Sequence, residues 1–209
     1  SLGYHISSLN INKSGRYWEI SEDGKEFIPP LTSIKGLGDA AIEQILNNRP
    51  FNNVEDFIFN DKMSYSKLNK KALDALTRSG AMNNLVDKRF TGLKHFWSAA
   101  VVDRPKTPKK FAENIDKYKP EGDFSDEEKL EHMVSLTGVY PINMVMTPEI
   151  FKRLEDKYIP AIGNYEPQLG EVVWFIPRSI EEKKTKNGKI YWIMSVTDSS
   201  NKITAIKCW

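Results

Sequence analysis

The stretch Ile34-Lys35-Gly36-Leu37-Gly38-Asp39-Ala40-Ala41 indicates the fold of the first half of the chain. Glycines at positions 36 and 38 allow the backbone to adopt positive φ and to approach a ligand closely. Asp39 is predicted to cap a helix over residues 40–48, whose first amide groups and positive dipole end then face outward. The start of such a helix can bind a phosphate oxygen. Contacts from backbone amides to phosphate do not depend on the base sequence. Spacing alone leaves a second interpretation open, a helical turn whose glycines serve only packing.

A second helix–turn–helix layout follows without the two glycines. Asn53 is predicted to cap a helix over 54–60, and Ser66 or Asn69 to cap a longer helix that ends near Ser79, before Gly80. This second helix is basic where it begins, through Lys67, Lys70 and Lys71. These lysines either contact a nucleic-acid backbone or form an ordinary solvated face, and a packing role is favoured for this turn.

The flanking sequence predicts further elements on both sides of these helices. Residues 16–28 read as a β-hairpin around Asp23-Gly24, a favoured tight-turn pair. Downstream we expect a helix over 93–102, then a proline-rich linker or extended crossing over 103–126. A helix capped by Asp126 should end at the break Gly138–Pro141, and another helix should cover 149–157.

From Gly170 the hydrophobic period changes to two, which is typical of strands. Strands are predicted over 171–180, 189–197 and 202–209, joined by turns at Asn187-Gly188 and residues 198–201. The fold class is therefore α+β: an N-terminal β-hairpin, a helical domain with two helix–hairpin–helix units, a helical connector, and a partial antiparallel β-meander. The predicted segments are 1–28, 29–102, 103–160 and 161–209.

Composition excludes several classes of protein. The chain has 209 residues, 40% of them hydrophobic, so wholesale disorder is not expected. No apolar run approaches the ~18 residues of a spanning helix, and the first residues lack a signal-peptide pattern, which predicts a cytoplasmic protein without membrane contact. One cysteine and three scattered histidines build neither a disulfide nor a metal cluster. No nucleophile–base pair is apparent, so we predict no catalytic residues and no metal ligands.

The formal net charge of +2 conceals a strong segregation of charge. Residues 1–110 contain 17 basic and 12 acidic residues, residues 111–160 contain 6 and 11, and residues 161–209 contain 7 and 5. A basic front, an acidic middle and a mildly basic end suggest separate modules with different partners. The near-neutral total therefore does not argue against nucleic-acid binding.

The motifs resemble those of the bacterial (C-family) replicative DNA polymerase III alpha subunits. The glycine-bearing hairpin of 34–49, the stretch 50–57 and above all KLNKKALDAL at 67–76 with Gly80-Ala81 are similar to colinear motifs of that family. Residues 127–141 resemble its acidic helix ending in a Gly-His-Pro-like break, although this chain has Gly138-Val139-Tyr140-Pro141 there and lacks the His. Residues 171–209 resemble the opening strands of its OB-fold. The resemblance covers nearly the whole chain, and the chain is read as a fragment of a longer bacterial, phage or prophage protein.

The resemblance implies a piece that binds DNA and lacks the catalytic carboxylates. The whole polymerase would transfer nucleotides with Mg²⁺, while this fragment would need no cofactor. It would bind duplex or primer–template DNA through the hairpin amides and single-stranded template through the OB-like strands, where Trp174, Tyr191 and Trp192 alternate with lysines. A sliding clamp or another replisome subunit is a further expected partner. The candidate DNA-binding residues are Lys35, Gly36, Leu37, Gly38, Asp39, Lys67, Lys70, Lys71, Lys184, Lys186 and Tyr191.

Two other classes of function remain open from the sequence. A stand-alone DNA repair or recombination module would carry the same hairpins, but residues 1–28 read as the tail of a preceding domain. A protein-interaction scaffold would use the acidic segment 111–160 to dock a clamp or accessory subunit.

Overall fold

The computed structural model describes residues 5–64, 66–138, 146–163, 170–200 and 202–209. The chain divides into two compact units, Ser1–Gly138 and Val139–Trp209. The predicted α+β class is confirmed, because the first unit is mainly helical with a small sheet and the second contains a three-stranded sheet. The division into four segments is finer than these two units and stays a prediction.

The first unit begins with a small sheet of strands β1 (His5–Ile6), β2 (Glu19–Ile20) and β3 (Glu26–Ile28), in the order β1-β3-β2. The predicted hairpin is confirmed: β2 and β3 are antiparallel, and Gly24 in the turn between them has φ +70°. Strand β1 pairs in parallel with β3. The sequence did not predict this strand, because two residues are too few to show an alternating pattern.

Three capped helices follow, and two of their caps differ from or refine the predictions. Helix α1 (Asp39–Asn48) is capped by Gly38, so the predicted cap at Asp39 is wrong by one residue. Asp39 is instead the first helical residue. Helix α2 (Val54–Ile58) is capped by Asn53 as predicted, and of the two candidate caps for α3 (Lys70–Arg78) the structure uses Asn69.

The predicted linker over 103–126 is wrong, because it contains a helix. Helix α4 (Leu93–Trp97) continues into a π-helical turn (Ser98–Val102), and α5 (Pro108–Lys117) follows after a short connection. The Thr107 side chain accepts a hydrogen bond from the Lys110 amide, and Pro108 occupies the first helical turn, where proline is tolerated. Only Phe111 and Asn114 of α5 are fully buried, so its apolar periodicity is too weak to detect in the sequence.

Helix α6 (Asp126–Thr137) is capped by Ser125, one residue before the predicted Asp126. Ser125 and Glu128 form a reciprocal capping box, which satisfies two backbone donors at once. Gly138 ends the helix with φ +71°, and the rest of the predicted break at 139–141 lies outside the described residues.

The second unit contains α7 (Pro148–Asp156), capped by Thr147, and an antiparallel meander of β4 (Ile176–Lys184), β5 (Ile190–Thr197) and β6 (Thr204–Cys208). The predicted meander is confirmed, but β4 begins five residues later than expected and extends to Lys184. Its end is set by pairing with β5, where Lys184 lies opposite Ile190, rather than by apolar composition.

Each unit has its own core. In the first unit the buried apolar residues form one cluster that includes Ile11, Leu73, Phe111 and Leu136. Helices α5 and α6 therefore pack into the same core as the hairpin helices α1 and α3. The smaller core of the second unit centres on Met146 and Ile176, with Phe151, Leu154 and Trp174 against it.

Candidate nucleic-acid interface

The first hairpin, residues 34–39, uses its two glycines for different reasons. Gly36 has φ +88°, a left-handed conformation that favours glycine. Gly38 has an extended backbone with φ −77°, and a Cβ placed there would meet no atom within 4 Å. The prediction of positive φ therefore holds for Gly36 alone, while Gly38 leaves the start of α1 open to a ligand.

The side chains of the hairpin divide into an anchor and an exposed tip. Leu37 is 7% exposed and belongs to the core, so its side chain does not face a ligand. Lys35, Gly36, Gly38 and Asp39 are exposed. Four of the five predicted residues of this stretch are thus on the surface, and the fifth fixes them to the core.

The amides of the hairpin are not all available to a phosphate. The Lys35 N–H donates to the Leu136 carbonyl at 2.7 Å, and the Leu37 N–H donates to the Ile34 carbonyl at 3.2 Å. Within the described residues, no acceptor is present for the amides that remain, those of Gly36, Gly38, Asp39 and Ala40. Three of these belong to the start of α1, where the helix dipole favours negative charge.

The start of α3 lies beside this hairpin. A Cβ placed on Gly36 would be 3.2 Å from Cε of Lys71, so the Lys71 side chain passes close to the hairpin backbone. The two hairpins are separate motifs in the sequence, which carries no signal for this contact. We call Lys35, Gly36, Gly38, Asp39 and Lys71 the hairpin surface.

The other two lysines of the second hairpin differ from Lys71. Lys67 is exposed. The Nζ of Lys70 donates to the carbonyl of Val102 at 2.9 Å, at the end of the π-helical turn. The ammonium group of Lys70 therefore forms a hydrogen bond within the protein, and this structural role is at least as important as any contact with a ligand.

Arg16 is a residue near the hairpin surface that sequence reasoning missed. Its Nη1 lies 2.8 Å from Oδ1 of Asp39, whose side chain is 85% exposed. The pair brings a guanidinium to the start of α1 and partly offsets the Asp39 carboxylate, which would otherwise repel an anion. No sequence pattern links the two residues, because they are separated by a sheet and a turn.

The second unit presents a stacked aromatic pair, half-buried Tyr191 and exposed Trp209, on one face of its sheet. The rings of Tyr191 and Trp209 stack with centroids 5.1 Å apart and an angle of 30° between their planes. The Nζ of Lys207 lies 4.6 Å from both centroids, and Trp209 is 73% exposed. We call Tyr191, Lys207 and Trp209 the aromatic patch. In the sequence, only the alternating pattern of the last strand indicated that Lys207 and Trp209 lie on one face.

Of the predicted lysines and tryptophans of this unit, Lys183 is the one that pairs with Tyr191 in the described sheet, while the predicted site lysines Lys184 and Lys186 do not. Lys183 lies opposite Tyr191 and Lys184 lies opposite Ile190, so Lys184 faces the other side of the sheet. Lys186 lies in the turn between β4 and β5.

Neither of the two predicted tryptophans shares the aromatic patch. Trp192 follows Tyr191 and therefore lies on the opposite face. Trp174 packs against Phe151 at 5.7 Å in the small core. The strand pattern thus identified Tyr191 but not its neighbours.

Two kinds of feature are absent from the described part of the chain. Its residues contain no group of three or more His, Cys, Asp or Glu side chains that could hold a metal ion. They also contain no helix with the length and apolarity needed to cross a membrane.

Comparison with known proteins identifies the class of domain first. Residues 3–92 match the family model of the helix-hairpin-helix motif. The matched range contains the hairpin surface and all of α1, α2 and α3. The chain is therefore an α+β protein whose residues 3–92 are similar to the helix-hairpin-helix motif.

The relatives then identify the protein that the chain resembles. It is 24% identical to the DNA polymerase III subunit alpha of Aquifex aeolicus over 98% of this chain and 17% of the relative. It is 24% identical to that of Thermotoga maritima over 75% of this chain and 18% of the relative, and 30% identical to that of Pseudomonas aeruginosa over 47% and 8%. The resemblance to DNA polymerase III alpha subunits is thus confirmed, and the chain spans less than a fifth of the length of these relatives.

Proposed function

We propose that this chain binds the phosphate backbone of duplex DNA through the hairpin surface, as part of a replicative DNA polymerase. The helix-hairpin-helix match and the similarity to DNA polymerase III alpha subunits both support DNA as its partner. The observation that carries the proposal is the exposed run of amides at Gly36 and Gly38–Ala40, with Lys35 next to it in the chain and the Lys71 side chain beside Gly36.

The chemistry of this surface favours binding without sequence selectivity. Backbone amides and lysine ammonium groups bind phosphate oxygens, which are the same for every base pair. Contacts of this kind make the affinity depend on salt, because each neutralised phosphate releases condensed counterions. Such binding would hold a duplex in place while allowing it to move along the protein.

The experiment compares Gly38→Asp with Gly38→Asn in the full chain. A side chain fits at position 38 without a clash, and Asp and Asn cap helices about equally well, so the two variants differ in charge and little else. Binding of a fluorescent duplex is measured between about 50 and 200 mM salt, with two unrelated sequences. We expect the carboxylate to weaken binding about ten-fold, equivalent to ~1.4 kcal/mol.

The salt slope provides the second measurement. Loss of one phosphate contact in Gly38→Asp lowers the magnitude of the slope of log K against log salt by about 0.9 relative to Gly38→Asn. Equal affinity and equal slope for the two variants would remove the hairpin surface from DNA binding. A strong preference for one of the two duplex sequences would also contradict the proposal.

A second binding mode is favoured by the aromatic patch. We propose that the sheet of the second unit, which resembles the start of an OB-fold, binds single-stranded template. Stacking of a base on an aromatic side chain contributes about 1–3 kcal/mol, and a nearby cation attracts the backbone. Trp209 offers an exposed ring beside Tyr191 and Lys207.

The matched pair for this mode is Trp209→Ala and Trp192→Ala. Both remove a tryptophan from the same sheet, but Trp192 lies on the face opposite Tyr191. We expect Trp209→Ala to weaken binding of oligo(dT) by at least about five-fold, equivalent to ~1 kcal/mol, and Trp192→Ala to leave it near wild type. A larger loss in Trp192→Ala would place the single strand on the other face.

The remaining expectations concern a whole polymerase rather than this piece. We propose that the complete protein is a nucleotidyltransferase that uses Mg²⁺ at carboxylates outside these 209 residues. A contact with a sliding clamp or another replisome subunit and a cytoplasmic location are proposals of the same standing. They rest on the resemblance to DNA polymerase III alpha subunits.

A further inference from the structure

The last turn of α6 is joined directly to the first hairpin. The Leu136 carbonyl, one of the final carbonyls of α6 that lack a partner within the helix, accepts the hydrogen bond from the Lys35 N–H at 2.7 Å. The Leu136 side chain is 8% exposed and belongs to the core cluster of the first unit. Gly138 closes the turn by donating its N–H to the Val134 carbonyl at 3.0 Å.

This hydrogen bond fixes the hairpin on one side, and Lys71 fixes it on the other. The bond holds the peptide plane between Ile34 and Lys35, which directly precedes the peptide plane that contains the Gly36 amide. The Lys71 side chain lies against Gly36 from the start of α3. The orientation of the exposed amides therefore depends on two helices that follow the hairpin in sequence.

The acidic first turn of α6 lies at the end of the helix away from the hairpin, and Glu131 is the acidic residue of α6 nearer to the C-terminal turn. Asp126, Glu127 and Glu128 occupy the first turn of the helix. With a rise of 1.5 Å per residue, that turn lies roughly 12–15 Å along the axis from Leu136. This separation exceeds the Debye length of about 8 Å at physiological salt, so the acidic end is largely screened from a phosphate at the hairpin.

We infer that the C-terminal turn of α6, residues 134–138, positions the first hairpin for phosphate binding. The inference rests on the proposed function of the hairpin surface. It extends that function to α6, which its acidic charge alone would assign to a different partner. Leu136 and Gly138 are positioning residues, because they act through the Lys35 amide and do not contact the DNA.

The test uses three variants of the full chain. In Gly138→Val a β-branched residue must adopt φ +71°, which opposes the helix end, while Gly138→Asn tolerates this conformation. Among the described residues, a Cβ at position 138 would meet no atom within 4 Å, so the strain expected in Gly138→Val lies in the backbone. Ser125→Ala weakens the opposite end of the same helix by removing its capping box.

The first readout is hydrogen exchange of the Lys35 amide without DNA. We expect exchange about ten-fold faster in Gly138→Val, near the wild-type rate in Gly138→Asn, and little changed in Ser125→Ala. An unchanged rate in Gly138→Val would overturn the inference. An equal acceleration in Ser125→Ala would also overturn it, because the effect would then reflect the stability of α6 as a whole.

The second readout is the salt dependence of duplex binding. We expect Gly138→Val to weaken binding and to lower the salt slope by up to about 0.9, with both restored in Gly138→Asn. Faster Lys35 exchange with an unchanged slope would show that the contact does not serve binding. If the wild-type chain binds no duplex, the proposed function fails, and the exchange data still report separately whether α6 fixes the hairpin.

Discussion

Replacement of Phe111 by alanine is expected to destabilise the first unit by about 3–5 kcal/mol. The ring is 1% exposed and packs edge-on against Phe59 at 5.9 Å, with Phe90 at 6.0 Å. Burial of a phenylalanine side chain contributes about 1.5–3 kcal/mol, and aromatic pairing and the cavity left behind account for the rest. A residue of an unpacked linker at this position would contribute almost nothing to the free energy of unfolding.

The assay is hydrogen exchange of the α3 amides, whose opening reports the stability of the first unit without interference from the second. Glu113→Ala is the matched control, because it lies exposed on the same helix and is expected to change stability by less than about 0.5 kcal/mol. A loss below about 1 kcal/mol in Phe111→Ala would refute the assignment of α5 to the core. Similar losses in the two variants would indicate a general effect on the helix.

Two other predictions concern the stability of the first unit. Arg89 donates two hydrogen bonds to the Glu55 carboxylate, at 2.6 and 2.9 Å, and these bonds hold the pKa of Glu55 below its ordinary value. Arg89→Lys should cost about 1 kcal/mol in urea unfolding at pH 7. A carboxyl with a lowered pKa stabilises the fold above its ordinary pKa, so the cost should shrink as the pH falls from that value and vanish once the pH is below the lowered pKa of Glu55; a pH-independent cost would contradict this reasoning. Asn69→Ala removes the cap of α3 and should cost about 1 kcal/mol, whereas Ser66→Ala should have little effect; equal losses would exclude Asn69 as the cap.

Local sequence patterns predicted the boundaries of helices and strands best where backbone geometry requires a particular turn or cap residue. Asp23-Gly24, Asn53 and Gly80 each mark a boundary that the structure contains, because these residue types satisfy a particular φ or an unpaired amide. Helix starts at Asp39 and Asp126 were misplaced by one residue. In both places the cap is a neighbouring Gly or Ser, and the aspartate is the first helical residue.

The missed helix α5 shows where local patterns are insufficient. Its prolines and charges suggested a linker, but Pro108 lies in the first turn, where a helix accepts it. A short helix with two buried side chains gains its stability from the core that it contacts. That core includes residues from α2 and from the segment before α4, which are distant in sequence.

By itself the sequence determined the glycine-bearing hairpin, most of the helices, the meander and the resemblance to DNA polymerase III alpha subunits. These follow from hydrophobic period, turn residues and colinear motifs, all of which act over short stretches. Only the tertiary structure decided that Lys71 lies against Gly36 and that Arg16 pairs with Asp39. It also decided that the Leu136 carbonyl accepts a hydrogen bond from the Lys35 amide. Each of these contacts joins residues far apart in the chain, and such contacts depend on how the helices pack rather than on any local pattern.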